Sequence, residues 1–236
     1  MKSLKTCFAA FAVAAAVCAY AQDDERETSS SAVGWTPLAV GIASPVQLPW
    51  GASEWDVFGL DVNLFYSDAS KMSGLDIAGL AAVTRDDMKG VQLAGLFNYG
   101  LADVYGVRAT FGLNMCPNTV RGFEVGAVGL RGELVGCDFS LFASAQHGVY
   151  GLAVGGFATF ADKEMYGCTI AGIANVAPEV HGCQAGILFN MTKELHGAQI
   201  ALVNFAEYCE NGFQIGLVNI VMSNQIKVLP FVNGRF

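Results

Sequence analysis

The groups in this chain that could carry chemistry are few. Three histidines are present, His147, His181 and His196, and seven cysteines, of which Cys7 and Cys18 fall in the apolar N-terminal stretch. The other five, Cys116, Cys137, Cys168, Cys183 and Cys209, are an odd number with no C-x-x-C pair. That fits neither a closed disulfide framework nor a zinc site and reads as small hydrophobes in a core. His181 and His196 stand fifteen residues apart in equivalent surroundings, but two ligands alone are too few to hold a metal. No metal site and no cofactor are expected. There is no G-x-S-x-G, H-E-x-x-H, P-loop or G-x-G-x-x-G, and His147 near Ser144 and Asp138 is a coincidence of composition. The expectation is a protein without catalytic residues.

One polar stripe remains as a candidate. Asp61, Asp76, Gln92, Arg108, Glu124, Asp138, Thr169, Gln184, Gln199 and Gln214 recur at one position of a repeat. Its reference residue is a glycine: Gly59, Gly74, Gly90, Gly106, Gly122, Gly136, Gly151, Gly167, Gly182, Gly197 and Gly212, spaced by 14 to 16 residues. The stripe is position +2, polar in every copy except Ala153. Positions +1, +3 and +5 are apolar or glycine in all copies, as in Leu60, Val62 and Leu64 or Phe213, Ile215 and Leu217. Position +4 is small except for Asn63, and −2 is usually apolar, from Met72 to Leu195.

Alternation with period two is the signature of a β-strand, with one apolar and one mixed face. The strand predicted from −2 to about +8 leaves four to six residues for a turn, as at Ala177-Pro178-Glu179. Most charges fall in those turns. The fold is therefore all-β with short connections.

Two architectures accommodate such a strand. The first expectation is an antiparallel outer-membrane β-barrel of about 12–14 short strands, since a membrane strand needs about 9–11 residues. The +2 row would then line the lumen, and Tyr105, Tyr150, Tyr166, His181, His196, Tyr99, Phe160 and Phe205 at strand ends would form an interfacial girdle. A narrow passive pore or a purely structural role follows. The alternative is a β-solenoid with 15–16-residue coils, acting as an adhesion or scaffolding surface with the +2 stripe as binding face. In a solenoid, Cys168 and Cys183 would lie in adjacent coils about 5 Å apart, and the recurring Asn98, Asn114, Asn175, Asn190, Asn204 and Asn219 could stack as a turn ladder. Two objections weigh against it. Asp61 would sit beside Asp76, and paired apolar residues such as Ile187 and Leu188 would leave a greasy exterior.

The N-terminus is read as a targeting segment. Lys2 and Lys5 precede an apolar run over 7–20 and an A-x-A site at 19–21, which makes 1–21 a signal peptide, 22–35 a flexible acidic leader and 36–236 one repeat-built β domain. Apolar residues make up 53% of the 236 and charged residues 14%, with a net charge of −8. That acidic balance excludes nucleic acid as a partner.

The motif G-φ-Q-φ-G-L-φ-N, complete at 212–219 and approximated at 90–98, 182–190 and 197–204, resembles that of a widespread, poorly characterised bacterial surface-repeat family. The close 230–236 is similar to that family's ending. The resemblance spans about 36–236 and implies export to the outer membrane or cell surface of a Gram-negative-type bacterium, with no implied activity. A terminal Phe236 resembles the assembly signal of outer-membrane barrels, although Gly234 replaces the usual aromatic. The expected partners on that reading are the lipid bilayer and the barrel-assembly machinery.

Overall fold

The period of the repeat glycines becomes a column in space. A computed structural model of the chain describes residues 34–235; the signal segment, all but the end of the acidic leader, and Phe236 lie outside the described residues. Gly59 pairs with Gly74, Gly74 with Gly90, Gly90 with Gly106 and Gly106 with Gly122, each time between parallel strands. The same register continues from Gly151 through Gly167, Gly182 and Gly197 to Gly212. Parallel pairing one repeat further on is the geometry of a β-solenoid. This corrects the expected antiparallel barrel and matches the alternative.

The chain opens with β1 (Trp35–Ala43), which folds back on β2 (Val46–Leu48) and lies parallel to β3 (Asp56–Ala69). The following coils each pair a longer strand with a shorter one: β4 (Lys71–Ala78) with β5 (Ala81–Thr84), then β6 (Met88–Ala94) with β7 (Phe97–Gly100). β8 (Val104–Thr110) leads into β9 (Leu113–Ala161), which runs through several coils without a break. β10 (Glu164–Ala171), β11 (Ala174–Val176), β12 (Glu179–Gly186), β13 (Phe189–Ile200) and β14 (Val203–Val221) complete the stack. β15 (Val228–Arg235) returns antiparallel along β14 and covers the last coil. β1 and the eleven glycine levels make twelve levels, which at about 4.8 Å form a stack roughly 50 Å long.

Glycine is required at the reference position for two reasons. Ten of these glycines, from Gly59 to Gly197, hold φ between +125° and +145°, a region an L side chain rarely adopts. In addition, a Cβ placed on Gly182 would collide with the carbonyl oxygen of Gly167, and one on Gly106 with that of Gly90. The period-two alternation runs through this glycine, so that −2, +2 and +4 face inward while −1, +1 and +3 face outward.

The interior is built as columns along the stack. Val57, Met72, Met88, Val104, Val120 and Leu134 form the first part of the buried apolar column at −2, continued by Val149, Met165, Val180 and Leu195. A bulge after Leu195 brings Cys209, rather than Glu210, into that column. Facing it from the shorter strands is an asparagine ladder. Asn98 Nδ2 donates to Asn114 Oδ1 at 2.9 Å, Asn175 to Asn190 at 2.8 Å, Asn190 to Asn204 at 3.0 Å and Asn204 to Asn219 at 2.9 Å. The same amides donate to corner carbonyls, Asn190 to Ile200 O and Asn204 to Ile215 O. The ladder thus satisfies corner backbone acceptors from inside the coil.

Candidate functional site

Every residue of the +2 stripe lies inside the coils. Asp61, Asp76, Gln92, Arg108, Glu124, Asp138, Gln184, Gln199 and Gln214 are 0% exposed and Thr169 is 4% exposed. The stripe therefore lines neither a lumen nor a binding face, and both readings made of it from the alternation are corrected. Its polarity is met in part along the stack instead, while Gln92 Oε1, Thr169 Oγ1, Gln184 Nε2 and Gln214 Oε1 have no hydrogen-bond partner. Gln214 Nε2 donates to Gln199 Oε1 and Gln199 Nε2 to Gln184 Oε1, both at 2.8 Å. Gln92 Nε2 reaches Asp76 Oδ2 and Thr84 Oγ1, each at 3.1 Å.

Charges sit in the middle of this column. Arg108 Nη2 meets Glu124 Oε1 at 2.5 Å, Arg131 Nε lies 3.2 Å from Glu124 Oε2, and Arg131 Nη2 lies 3.1 Å from Asp138 Oδ2. Burial raises Glu124, but Arg108 and Arg131 outweigh it and leave the carboxyl below its ordinary range. At Asp138 burial prevails over Arg131 and Ser140, so that carboxyl is raised. Arg131 is absent from the +2 row. It enters from the shortest coil, the 14-residue spacing between Gly122 and Gly136, which was its one trace in the sequence.

The two acids at the N-terminal end have no guanidinium in the column beside them. Asn63 Nδ2 and Ser67 Oγ donate to the two oxygens of Asp61 at 2.7 and 2.8 Å. Burial still raises the Asp61 carboxyl. Burial, reinforced by Asp61, pushes Asp76 up to about 7. The raised carboxyls favour a proton at this level below about pH 7, which lessens the repulsion that spoke against stacked coils.

The second objection, a greasy exterior, is realised. Leu60, Ile77, Leu93, Phe139, Ile170 and Ile215 project outward from +1 and +3 and are a third or more exposed. The corner at +5 and +6 forms a ridge of Leu64, Leu80, Leu96, Phe142, Ile187 and Leu217, among others. Phe111 on this ridge is 90% exposed. Along the ridge the backbone bonds from coil to coil: Leu80 N–H donates to Phe65 O, Leu96 to Leu80 O and Ile173 to Phe157 O. Among the described residues no helix is long and apolar enough to cross a membrane.

The opposite corner is charged and carries the −1 residues. Tyr150, Tyr166, His181 and His196, expected in a girdle at strand ends, instead form one continuous stack. Their ring centroids are 5.4, 4.5 and 4.6 Å apart, with interplanar angles of 6° or less. Glu164, Glu179 and Glu194 follow the same register two residues earlier. Tyr150 donates to Glu164, which holds its phenol up at about 12. His181 Nε2 lies 2.7 Å from Glu179 Oε1. Glu179, His181 and His196 together bring one ligand atom each to within 4.8 Å of one another. Two histidines alone are too few ligands, and the repeated E-x-H at 179–181 and 194–196 is the signal in the sequence for a third.

The cysteines divide. Cys116 and Cys209 are buried, whereas Cys137, Cys168 and Cys183 are half-buried on the outer face rather than in a core. Cys168 and Cys183 are register partners in adjacent coils and are free thiols. Burial raises the Cys168 thiol, with Cys183 adding to the shift.

No known protein family, curated protein or solved structure matches the chain.

Proposed function

We propose that this chain is an exported β-solenoid that serves as an adhesion or scaffolding surface, seated by its apolar ridge on a lipid bilayer, without catalytic chemistry. The observation that carries the reading is the exposed strip of Leu, Ile and Phe along one corner, outside an interior shared by an apolar column and buried amides and charges. Soluble proteins rarely leave so large an apolar strip uncovered. The ridge runs along one corner for the length of the stack, while the charges collect at the opposite corner. An amphipathic body of that kind lies in an interface with its apolar side down, as amphipathic helices do.

Lipid is favoured over a protein partner by the backbone of the ridge. Hydrocarbon tolerates only backbone whose polar groups are satisfied internally. The ridge N–H groups bond to the preceding coil, and the asparagine ladder takes up corner carbonyls from within. Export, as the targeting segment and the resemblance of the repeat imply, would deliver the protein to such a surface. The charged corner then faces water and is free to meet other molecules.

The test is flotation with zwitterionic phosphatidylcholine vesicles. The purified chain should float with the vesicles, and the triple variant Leu80→Asp, Ile173→Asp, Leu202→Asp should stay at the bottom with unchanged circular dichroism. Wild-type protein that remains monodisperse and lipid-free without detergent overturns the proposal.

A further inference from the structure

We propose that Glu179, His181 and His196 bind a divalent transition-metal ion of the zinc type, tying two adjacent coils together at the charged corner. The residue types suit it. Two imidazoles and one carboxylate are a donor set that zinc accepts, and imidazole also suits nickel and copper, whereas calcium and magnesium prefer all-oxygen shells. The register supplies them, since His181 and His196 are direct partners on parallel strands.

The geometry lies two small movements from coordination. Nε2 of His181 and Oε1 of Glu179 are already 2.7 Å apart. An ion placed between them takes the place of their hydrogen bond, with the imidazole bound through Nε2 as the tautomer that carries its N–H on Nδ1. The third donor must come closer. Zn–N bonds of about 2.0–2.1 Å in a tetrahedral site put neighbouring donors roughly 3.3 Å apart, so the His181–Glu179 pair opens by about 0.6 Å and His196, now within 4.8 Å, closes by up to about 1.5 Å. It has room to do so. Its next register neighbour is Asn211, which has no ring to stack on, and the strand register slips between Leu195 and His196. His181, by contrast, is held between Tyr166 at 4.5 Å and His196 at 4.6 Å. One ligand is therefore fixed and one adjustable.

All three residues are only partly buried, so the fourth position opens to solvent. Glu194, in register with Glu179, stands beside that opening. A water or a side chain from a bound partner would complete the shell there, which distinguishes the site from a closed structural one. The site does not depend on the ridge contacting lipid.

Tag-free full-length protein titrated with ZnCl2 by calorimetry should take up one ion per chain at this site. His181→Ala and His196→Asn should each weaken binding by at least about tenfold, the lower bound for losing even an outer-shell partner of a metal. Glu179→Gln should weaken it as well, and His147→Ala should leave it unchanged. Should a variant fail to fold, the Co2+ spectrum of the wild type decides. Ligand-field bands without thiolate charge transfer support the site, since the free cysteines would give themselves away. Absence of uptake, thiolate bands, or Zn2+ binding that survives loss of both histidines overturns it.

Discussion

Replacement of Asp76 by asparagine should stabilise this protein at neutral pH and flatten its dependence on pH. Asp76 is 0% exposed, accepts one hydrogen bond from Gln92, and has an oxygen, Oδ1, without a hydrogen-bond partner. Asp61 is its register partner one coil below. Burial first, and the Asp61 carboxyl second, push Asp76 from an ordinary value of 3.8 to about 7. Between those two values the folded chain keeps a proton that the unfolded chain has released. Stability therefore falls as pH rises across this window, because the unfolded state binds fewer protons. Three pH steps at ~1.4 kcal/mol each make the loss about 4 kcal/mol by pH 7. Asparagine keeps an acceptor toward Gln92, offers an N–H in place of the second oxygen, and cannot ionise. The difference between variant and wild type should grow from near zero at pH 4 to about 4 kcal/mol at pH 7.5. Urea unfolding at 25 °C, at half-unit steps from pH 4 to 8 and with matching m values, measures it. Parallel profiles for the two proteins, or a variant weaker throughout, would refute the reasoning. The raised Asp61 should leave a residual slope of the same sign in the variant.

Two other perturbations probe the column and the coil. Arg108→Met should cost about 3–5 kcal/mol, since it strips Glu124 of its nearest cation and the Met115 carbonyl of its donor, whereas the Arg108→Met, Glu124→Met pair should recover part of the loss. Denaturant midpoints of the single and double variants measure this, and equal stability of the single variant and wild type would contradict it. Deleting 182–196 should bring Gly197 over Gly167 and leave a shorter, cooperatively folding solenoid with unchanged strand signal in circular dichroism. A chain that no longer folds would argue that the coils are not interchangeable.

Much of the local structure was legible in the residues. The spacing of Gly59, Gly74, Gly90 and their successors defined the coil, and the contrast between Gln184 or Gln199 at +2 and their apolar neighbours defined strands with two unlike faces. The asparagine ladder is legible in the recurrence of Asn190, Asn204 and Asn219 one repeat apart. The candidate site was less legible. Glu179 lies two residues from His181, where period-two alternation puts both on one side, yet its value as a ligand depends on His196 arriving from the next coil. Arg131 stood outside the repeating position altogether and became a partner of Glu124 and Asp138 only across two levels of the stack.

Alternation along the chain thus determined that each strand has a polar and an apolar side, and the glycine column determined its period. Neither could say which side turns inward or whether neighbours run in the same direction, because both patterns are identical for a strand read alone. Tertiary structure decided both at once. Parallel stacking sets Gln184, Gln199 and Gln214, and Asn175, Asn190, Asn204 and Asn219, each about 4.8 Å from the next, a distance at which one amide can donate to its neighbour. A polar column can then be buried at this end of the stack, and the apolar side is left to face outward.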